Sequence, residues 1–360
     1  MPLSSLSIEG FRNLDTMTLT FSSGLNLFRG QNAAGKTSLL EAIYVLGRAR
    51  SFRSSSLDRA ISHDQDSFRL VARLQQQTAR QIPVGISRKP GQLMARIDGM
   101  PVRRLSELAA LFPLQWVGGN LHGLFENGPP PRRQFMDWGL FHVKHDYIPV
   151  WKQFQKLLKQ RNAALRTASS QREISIWDRD LVGCAEQLDV HRADYLARVN
   201  SYLVQIMNDF IEDSETLDVL YRRGWLAEKA YSRVLEESLS SDREQGFTRN
   251  GPQRADFSLK YRGKPVTEAL SRGQQKVLII GLKLAQAFLL KDLTETPSLF
   301  LLDDLGAELD LDNQEKVMRR LAALEAQVFA TAIEFPGSPV GEGTENRMFH
   351  VEHGKVTEVV

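Results

Sequence analysis

Cysteine is nearly absent from this chain of 360 residues, Cys184 standing alone. That excludes an internal disulfide and a cysteine-rich zinc site, and it points to a reducing compartment, the cytoplasm. Long hydrophobic runs are missing too. The most apolar stretch, Val277 to Leu290, is interrupted by Lys283 and Gln286 and falls short of the roughly 20 residues that a bilayer span needs. The first residues carry neither a basic segment nor a sustained apolar one, so no secretory leader and no membrane partner are expected. Glycine (25) and proline (14) are too scarce for a low-complexity or collagen-like chain. Nor is there a strong charge of either sign: 46 basic against 43 acidic residues give +3, which permits an anionic partner without demanding one. What is there is an ordinary globular composition, 42% hydrophobic and 25% charged, long enough for one large domain or two.

Residues 3–29 alternate as three short strands. A glycine-bounded loop follows, then Leu39, Leu40, Ile43 and Leu46 at helical spacing, with Gly47 placed to stop the helix. Residues 68–104 read as strands and turns, with Arg88-Lys89-Pro90-Gly91 and Asp98-Gly99 as hairpin signals. Pro129-Pro130-Pro131 marks a boundary. Beyond it one helical pattern carries Trp151, Phe154, Leu157, Leu158 and Leu165, and a second runs from Leu181 to Phe210; the polar segment 169–176 joins them into a helical hairpin. Strand and turn signals return after about residue 215, and Leu299 to Leu302 and Gln327 to Ala332 have the composition of buried parallel strands. The expected fold is α/β in three segments: 1–125, an inserted helical subdomain over 126–214, and 215–360.

Three motifs carry chemistry. Gly30-Gln31-Asn32-Ala33-Ala34-Gly35-Lys36-Thr37, followed by Ser38, fits the phosphate-loop pattern between a strand and a helix. Backbone N–H groups of such a loop point inward and the helix N-terminus adds partial positive charge. Lys36 would bridge the β- and γ-phosphates and Thr37 would ligate Mg²⁺. A glycine-rich turn without a ligand is the plainer alternative. The second motif, Leu299 to Asp304, is an apolar strand ending in two carboxylates at the edge where ligands of α/β sheets collect. Asp303 is the metal-side carboxylate and Asp304 would orient or deprotonate water, a helix N-cap being the plain reading of the same residues. The third, Leu270-Ser271-Arg272-Gly273-Gln274-Gln275-Lys276, places a hydroxyl and a glycine at a helix start, an arrangement that suits an anion and also an ordinary cap.

Taken together with Leu305-Gly306-Ala307-Glu308-Leu309-Asp310, these motifs resemble the ABC-type ATPase heads of the structural-maintenance-of-chromosomes group, and within it the RecF family. Supporting stretches are Gly10-Phe11-Arg12-Asn13, Arg132 to Gly139, Lys159 to Leu165 and Gly251 to Asp256, and the resemblance runs from residue 6 to about 335. It implies an ATPase head with N-terminal antiparallel strands, a parallel nucleotide-binding sheet and the helical insertion. The first segment then carries the phosphate loop and the last the signature motif and the Asp-Asp strand. It also implies an ATP site completed by two subunits, with Ser271, Gly273 and Gln274 of one copy reaching nucleotide held by Gly30 to Ser38, Asp303 and Asp304 of the other. Asp310 would lie at the dimer seam, while Arg12, Asn13 and Gln115 would add contacts to phosphate or, for Gln115, to metal. The function so implied is an ATP-dependent dimer that binds gapped DNA or single-strand/double-strand junctions and works with RecO and RecR to load recombinase in repair, replication recovery and the SOS response. DNA-dependent ATP hydrolysis would serve as a switch.

Departures from that pattern bear on rate. Asp304 stands where many such heads have glutamate, so slow turnover is expected; Thr331 lies nearest the place of the transporters' switch histidine, and Trp116 to His122 replaces an acidic Pro-Glu pattern after Gln115. For DNA, segment 151–168 offers Lys152, Lys156, Lys159, Arg161 and Arg166 with no acidic residue, and Arg132, Arg133, Arg48, Arg50 and Arg53 are further candidates. A solvated helix face is the plain alternative. Two other functions stay open: a nucleotide-dependent architectural protein that scarcely hydrolyses, and the motor subunit of a transporter.

Overall fold

In a computed structural model the chain is described over residues 1–76, 80–119, 121–167, 170–333 and 346–359. Asn120, Ala168, Ser169 and the last residues of the stretch carrying the resemblance lie outside the described residues. Strands β1 (Leu3–Glu9), β2 (Met17–Thr20) and β3 (Leu25–Arg29) lead to helix α1 (Lys36–Arg48); β4 (Phe68–Gln75), β5 (Gln81–Lys89), β6 (Gln92–Ile97) and β7 (Met100–Pro101) precede α2 (Leu105–Leu111) and β8 (Leu114–Val117). Helices α3 (Gly123–Glu126), α4 (Pro129–Val143), α5 (Tyr147–Arg166), α6 (Gln171–Ser175) and α7 (Asp178–Met207) follow. Then come β9 (Asp218–Arg222), α8 (Tyr231–Gln245), β10 (Asp256–Tyr261), β11 (Lys264–Pro265), α9 (Val266–Ala269) and α10 (Arg272–Thr294). The chain closes with β12 (Leu299–Leu302), α11 (Leu305–Glu308), α12 (Leu311–Ala323), β13 (Gln327–Ala332), β14 (Arg347–Glu352) and β15 (Lys355–Val359).

Two compact units result: Met1–Leu121 with Leu290–Val360, and His122–Leu289. The first boundary falls close to the expected 125. The second differs, because residues 215–289, which the sequence reading assigned with the last segment, cluster with the helical insertion. Their own contacts give the reason: β9 packs on α7, and β10 packs on α4.

The first unit holds two sheets. One is antiparallel, in the order β2-β1-β4-β5-β6-β7; the other, in the order β15-β14-β3-β13-β12-β8, is parallel except for its β15 edge. Asp98 and Gly99 both adopt positive φ at the β6–β7 turn, as the hairpin signal requires. Helix α1 packs against β4 and β5 of the first sheet and β8 and β13 of the second. Hence Leu39, Leu40, Ala42, Ile43, Val45 and Leu46 are all buried, a helix apolar on nearly every side because it has sheet on both. Gly47 does not stop it. The helix runs to Arg48 and is capped by Ala49 at φ 49°, while a Cβ at Gly47 would approach Phe112 to 3.0 Å. The glycine serves close packing rather than termination.

In the second unit the three prolines that mark the boundary begin α4, where a missing N–H costs nothing. Helices α5 and α7 pack together as the expected hairpin, with the short α6 between them. Gln286, which interrupts the apolar run of α10, donates to the Phe135 carbonyl (2.8 Å) and the Tyr195 hydroxyl (2.7 Å), tying α10 to α4 and α7. Two of the stretches that carry the resemblance, Arg132 to Gly139 and Gly251 to Asp256, meet here. Arg132 donates bidentately to Asp256 (2.7 and 3.0 Å) and Arg133 to the Ala255 carbonyl (3.0 Å). No helix among the described residues is long and apolar enough to cross a membrane.

Arg161 corrects the sequence reading. Its side chain is 0% exposed, donating through Nε to Asp178 (2.7 Å) and through Nη1 to Asp242 (2.9 Å) and the Thr248 hydroxyl (2.7 Å). A guanidinium enclosed by two carboxylates is a strut, not a DNA contact, and Arg132 is likewise engaged by Asp256. Removing one member of such a pair strands the other. Arg161→Ala is expected to lower the unfolding free energy by about 3–5 kcal/mol in urea titration, whereas Lys159→Ala, exposed on the same helix, changes it by no more than about 0.5 kcal/mol.

Candidate functional site

Strand β3 delivers the chain into the phosphate loop and α1 receives it. The loop is tight because its glycines are required: a Cβ on Gly30 would lie 2.1 Å from the Val351 carbonyl oxygen, and Gly35 adopts φ +120°. Ala33 takes a left-handed φ of 63°. Gly35, the N-cap of α1, offers no side-chain cap, so the helix N-terminus presents N–H groups to an incoming anion. The β14–β15 turn braces the loop from behind, Gly354 donating its N–H to the Ala34 carbonyl (2.8 Å).

Lys36 is 8% exposed and curls over the loop, donating to the carbonyls of Gly30 (2.5 Å) and Gln31 (3.0 Å). Burial lowers its pKa and the Asp304 and Asp303 carboxylates oppose that shift. The cation therefore stands ready beside two anions. Strand β12, buried at every position, ends at those carboxylates. The Thr37 hydroxyl donates to Asp303 (3.0 and 3.1 Å to its two oxygens). Hard oxygen donors from a hydroxyl and a carboxylate suit Mg²⁺, so Thr37 and Asp303 are the residues that could hold it.

Thr331 was identified from the sequence only by its place and turns out to be an anchor. Its hydroxyl donates to Asp303 Oδ1 (2.8 Å) and accepts the Asp304 N–H (2.8 Å), fixing both carboxylate residues at once. Asp304 itself sits at φ 50°, turning the chain out of the strand. Gly118 is a second residue missed: a Cβ there would come within 2.7 Å of Asp303 Cβ. The glycine pair at 118 and 119 was its signal, read only as a departure from an acidic pattern.

A cavity of about 640 Å³ opens over this arrangement. Gln31 to Ala33, Gly35 to Ser38, both aspartates and Thr331 line it, together with Arg12, Asn13, Arg53 and Arg59. Four cationic side chains around a backbone nest make a receptor for a polyanion. Arg12 and Asn13 are thus where the sequence reading wanted them. Arg53, a candidate for DNA contact, lies on this rim, and Arg48 donates to the Leu114 carbonyl (3.0 Å), burial lowering its pKa. Gln115 is different: buried on β8 opposite Phe300, it is not among the residues lining the cavity.

Asp310 caps α12, accepting from the Asn313 N–H (2.8 Å) and the Asn313 side chain (2.8 Å), which holds its carboxyl below the usual range. In the second unit Ser271 and Gln274 form a reciprocal cap at the start of α10, the Ser271 N–H donating to Gln274 Oε1 (2.9 Å). Ser271, Arg272, Gly273 and Gln274 are all exposed. Lys152, Lys156 and Lys159 are exposed along α5, and Arg133 is partly withdrawn by its bond to Ala255, burial lowering its pKa.

Residues 2–354 match the model of the RecF/RecN/SMC N-terminal domain. The DNA replication and repair protein RecF of Shewanella denitrificans is 41% identical over 362 residues, covering 100% of both chains. The chain belongs to the RecF family. The RecF proteins of Aliivibrio fischeri (38% over 359 residues) and Escherichia coli O7:K1 (39% over 359 residues) each cover 99% of this chain and 100% of their own. A solved structure of the recombination mediator protein RecF with ATP in the RecFOR pathway shares the fold, with TM-score 0.85 at 23% identity over 99% of this chain and 97% of that one. An Smc head bound to the C-winged helix domain of ScpA superposes with TM-score 0.59 at 15% identity, covering 100% and 98%. Membership in the RecF family makes this a DNA replication and repair protein with an SMC-type head fold.

Because the Thr331 hydroxyl holds both aspartates, it matters more than the side chain's bulk. Thr331→Val is expected to weaken binding of magnesium triphosphate by about tenfold, the equivalent of about 1.4 kcal/mol, in calorimetric titration, and Thr331→Ser to retain most of it.

Proposed function

We propose that this protein is an ATP-gated DNA clamp that acts in recombinational repair in the cytoplasm. The observation that carries the reading is the convergence, on one cavity, of a phosphate-loop nest, Lys36, a hydroxyl–carboxylate pair and further arginines. Lys36 and the loop N–H groups would hold the triphosphate. Thr37 and Asp303 would hold Mg²⁺, which when bound would supply charge neutralisation to the triphosphate. Asp304 would orient the attacking water and accept its proton. An aspartate reaches less far than a glutamate, so turnover falls well below the enzyme median of about ten per second, and hydrolysis acts as a switch.

The signature segment supports completion of the site by a second copy. Gly273 needs no glycine for its own chain: a Cβ there meets no atom within 4 Å. Absence of a side chain instead leaves room for a polyanion to approach the backbone at an exposed helix start. Ser271, Gly273 and Gln274 of one protomer would thus meet the nucleotide of its partner, with Asp310 near the seam, and ATP would drive homodimerisation. The exposed lysines of α5 would give sequence-independent attraction to duplex phosphates, and RecO and RecR would join this dimer at gapped DNA or single-strand/double-strand junctions to load recombinase.

Fluorescence anisotropy of a labelled gapped duplex, with and without Mg-ATP, tests the clamp. ATP should tighten binding and Ser271→Arg should remove that gain; indifference to ATP in the native protein would overturn the reading. Reversing Lys152, Lys156 and Lys159 to Glu should weaken binding at every DNA sequence and reduce the salt slope by roughly 0.9 for each phosphate no longer neutralised. An unchanged slope would clear that face.

A further inference from the structure

We infer that Glu41, which lies outside the phosphate-binding motifs and does not line the cavity, is a positioning residue that aims Arg12 and Arg53 at the triphosphate site; this rests on the triphosphate reading above. Glu41 is a carboxylate in the apolar run Leu39-Leu40-Glu41-Ala42-Ile43 of α1, and its side chain is 0% exposed. A charge so enclosed must be matched. Two cations match it. Arg12 donates through Nε to Oε2 (2.9 Å) and through Nη2 to Oε1 (2.6 Å), while the Ser51 hydroxyl donates to Oε1 (2.5 Å). Arg53 Nη1 approaches Oε2 at 3.5 Å.

The two arginines are held differently. Arg12 is clamped, since its third nitrogen donates to the Arg59 carbonyl (2.6 Å) and its backbone is fixed at a left-handed φ of 53°. Arg53 is tethered loosely: besides the long contact to Glu41 it reaches Ser38 Oγ at 3.3 Å, and its side chain is 45% exposed. Ser38 in turn donates to Asn13 Oδ1 (2.8 Å), and Asn13 Nδ2 donates to the Ala33 carbonyl (3.3 Å). A continuous polar chain therefore runs from the buried carboxylate to the phosphate loop, and Arg12, Arg53, Ser38 and Asn13 all line the cavity. One arginine would suffice to neutralise Glu41. Gathering a second from a separate loop, with both opening on the same cavity, is what a carboxylate does when it pre-aligns cations for an incoming anion.

The test is calorimetric titration of the full chain with Mg-ATP, alongside urea unfolding, for the native protein, Glu41→Gln, Arg53→Gln and the double variant. Glu41→Gln should bind ATP at least tenfold more weakly. Because Glu41 acts through Arg53 as well as Arg12, its effect should shrink at least twofold in the Arg53→Gln background. Full additivity of the two substitutions, or unchanged ATP affinity in Glu41→Gln, would overturn the inference. If Glu41→Gln fails to fold, Ser51→Ala, which removes one bond to the same carboxylate without altering a cavity residue, should weaken ATP binding at least twofold at an unchanged unfolding midpoint, and unaltered affinity would count against the role. A native protein that takes up no ATP, with Lys36→Ala indistinguishable from it, would remove the triphosphate reading and this inference together.

Discussion

The first unit of this protein depends on the enclosure of one helix. Helix α1 is apolar around nearly its whole girth and lies between two sheets, so its position admits little variation. Close-packed interiors resist displacement of their elements. What emerges from that packing is the helix N-terminus, bearing Lys36, Thr37 and Ser38, and its location is set by the core rather than by the loop that precedes it. The site's precision is thus borrowed from hydrophobic burial several residues away. The same enclosure explains why the only carboxylate on that stretch, Glu41, has to gather cations around it.

Much of this was legible in the residues. The phosphate loop, the Asp-Asp strand and the α5–α7 hairpin have strong local signatures, because glycine spacing, unbroken apolar runs and helical periodicity are each set by neighbours in sequence. Thr331 and Gly118 were not recognised for what they do. Their roles come from parallel pairing, which places β8 and β13 on either side of β12, and no local pattern announces which residues three separate strands will bring together. The compact units divide elsewhere than at residue 215 for the same reason, since membership of β9, α8 and β10 is decided by long-range packing on α4 and α7.

Charge was misread in an instructive way. Arg132 and Arg161 looked like phosphate ligands because their acidic partners lie outside the segments that carry them, Asp178 and Asp242 being 17 and 81 positions from Arg161 and Asp256 being 124 from Arg132. Lys152, Lys156 and Lys159 remain exposed. The contrast follows residue chemistry: a guanidinium's planar fork satisfies two carboxylates inside a protein, whereas a strongly hydrated ammonium stays at the surface. In this chain Arg132 and Arg161 are architecture, whereas Lys152, Lys156 and Lys159 stand at the surface.

The bracing of the phosphate loop has a consequence for how the protein comes into being. Gly30 abuts Val351, Gly354 bonds to Ala34, and β3 pairs with β14 on one side and β13 on the other. These partners are synthesised long after the loop itself. At about 5–20 residues per second the delay is on the order of tens of seconds, during which β3 has neither neighbour. A nascent chain therefore displays a phosphate loop with no rear wall, and the loop gains its full bracing only once β13, β14 and Gly354 have been made.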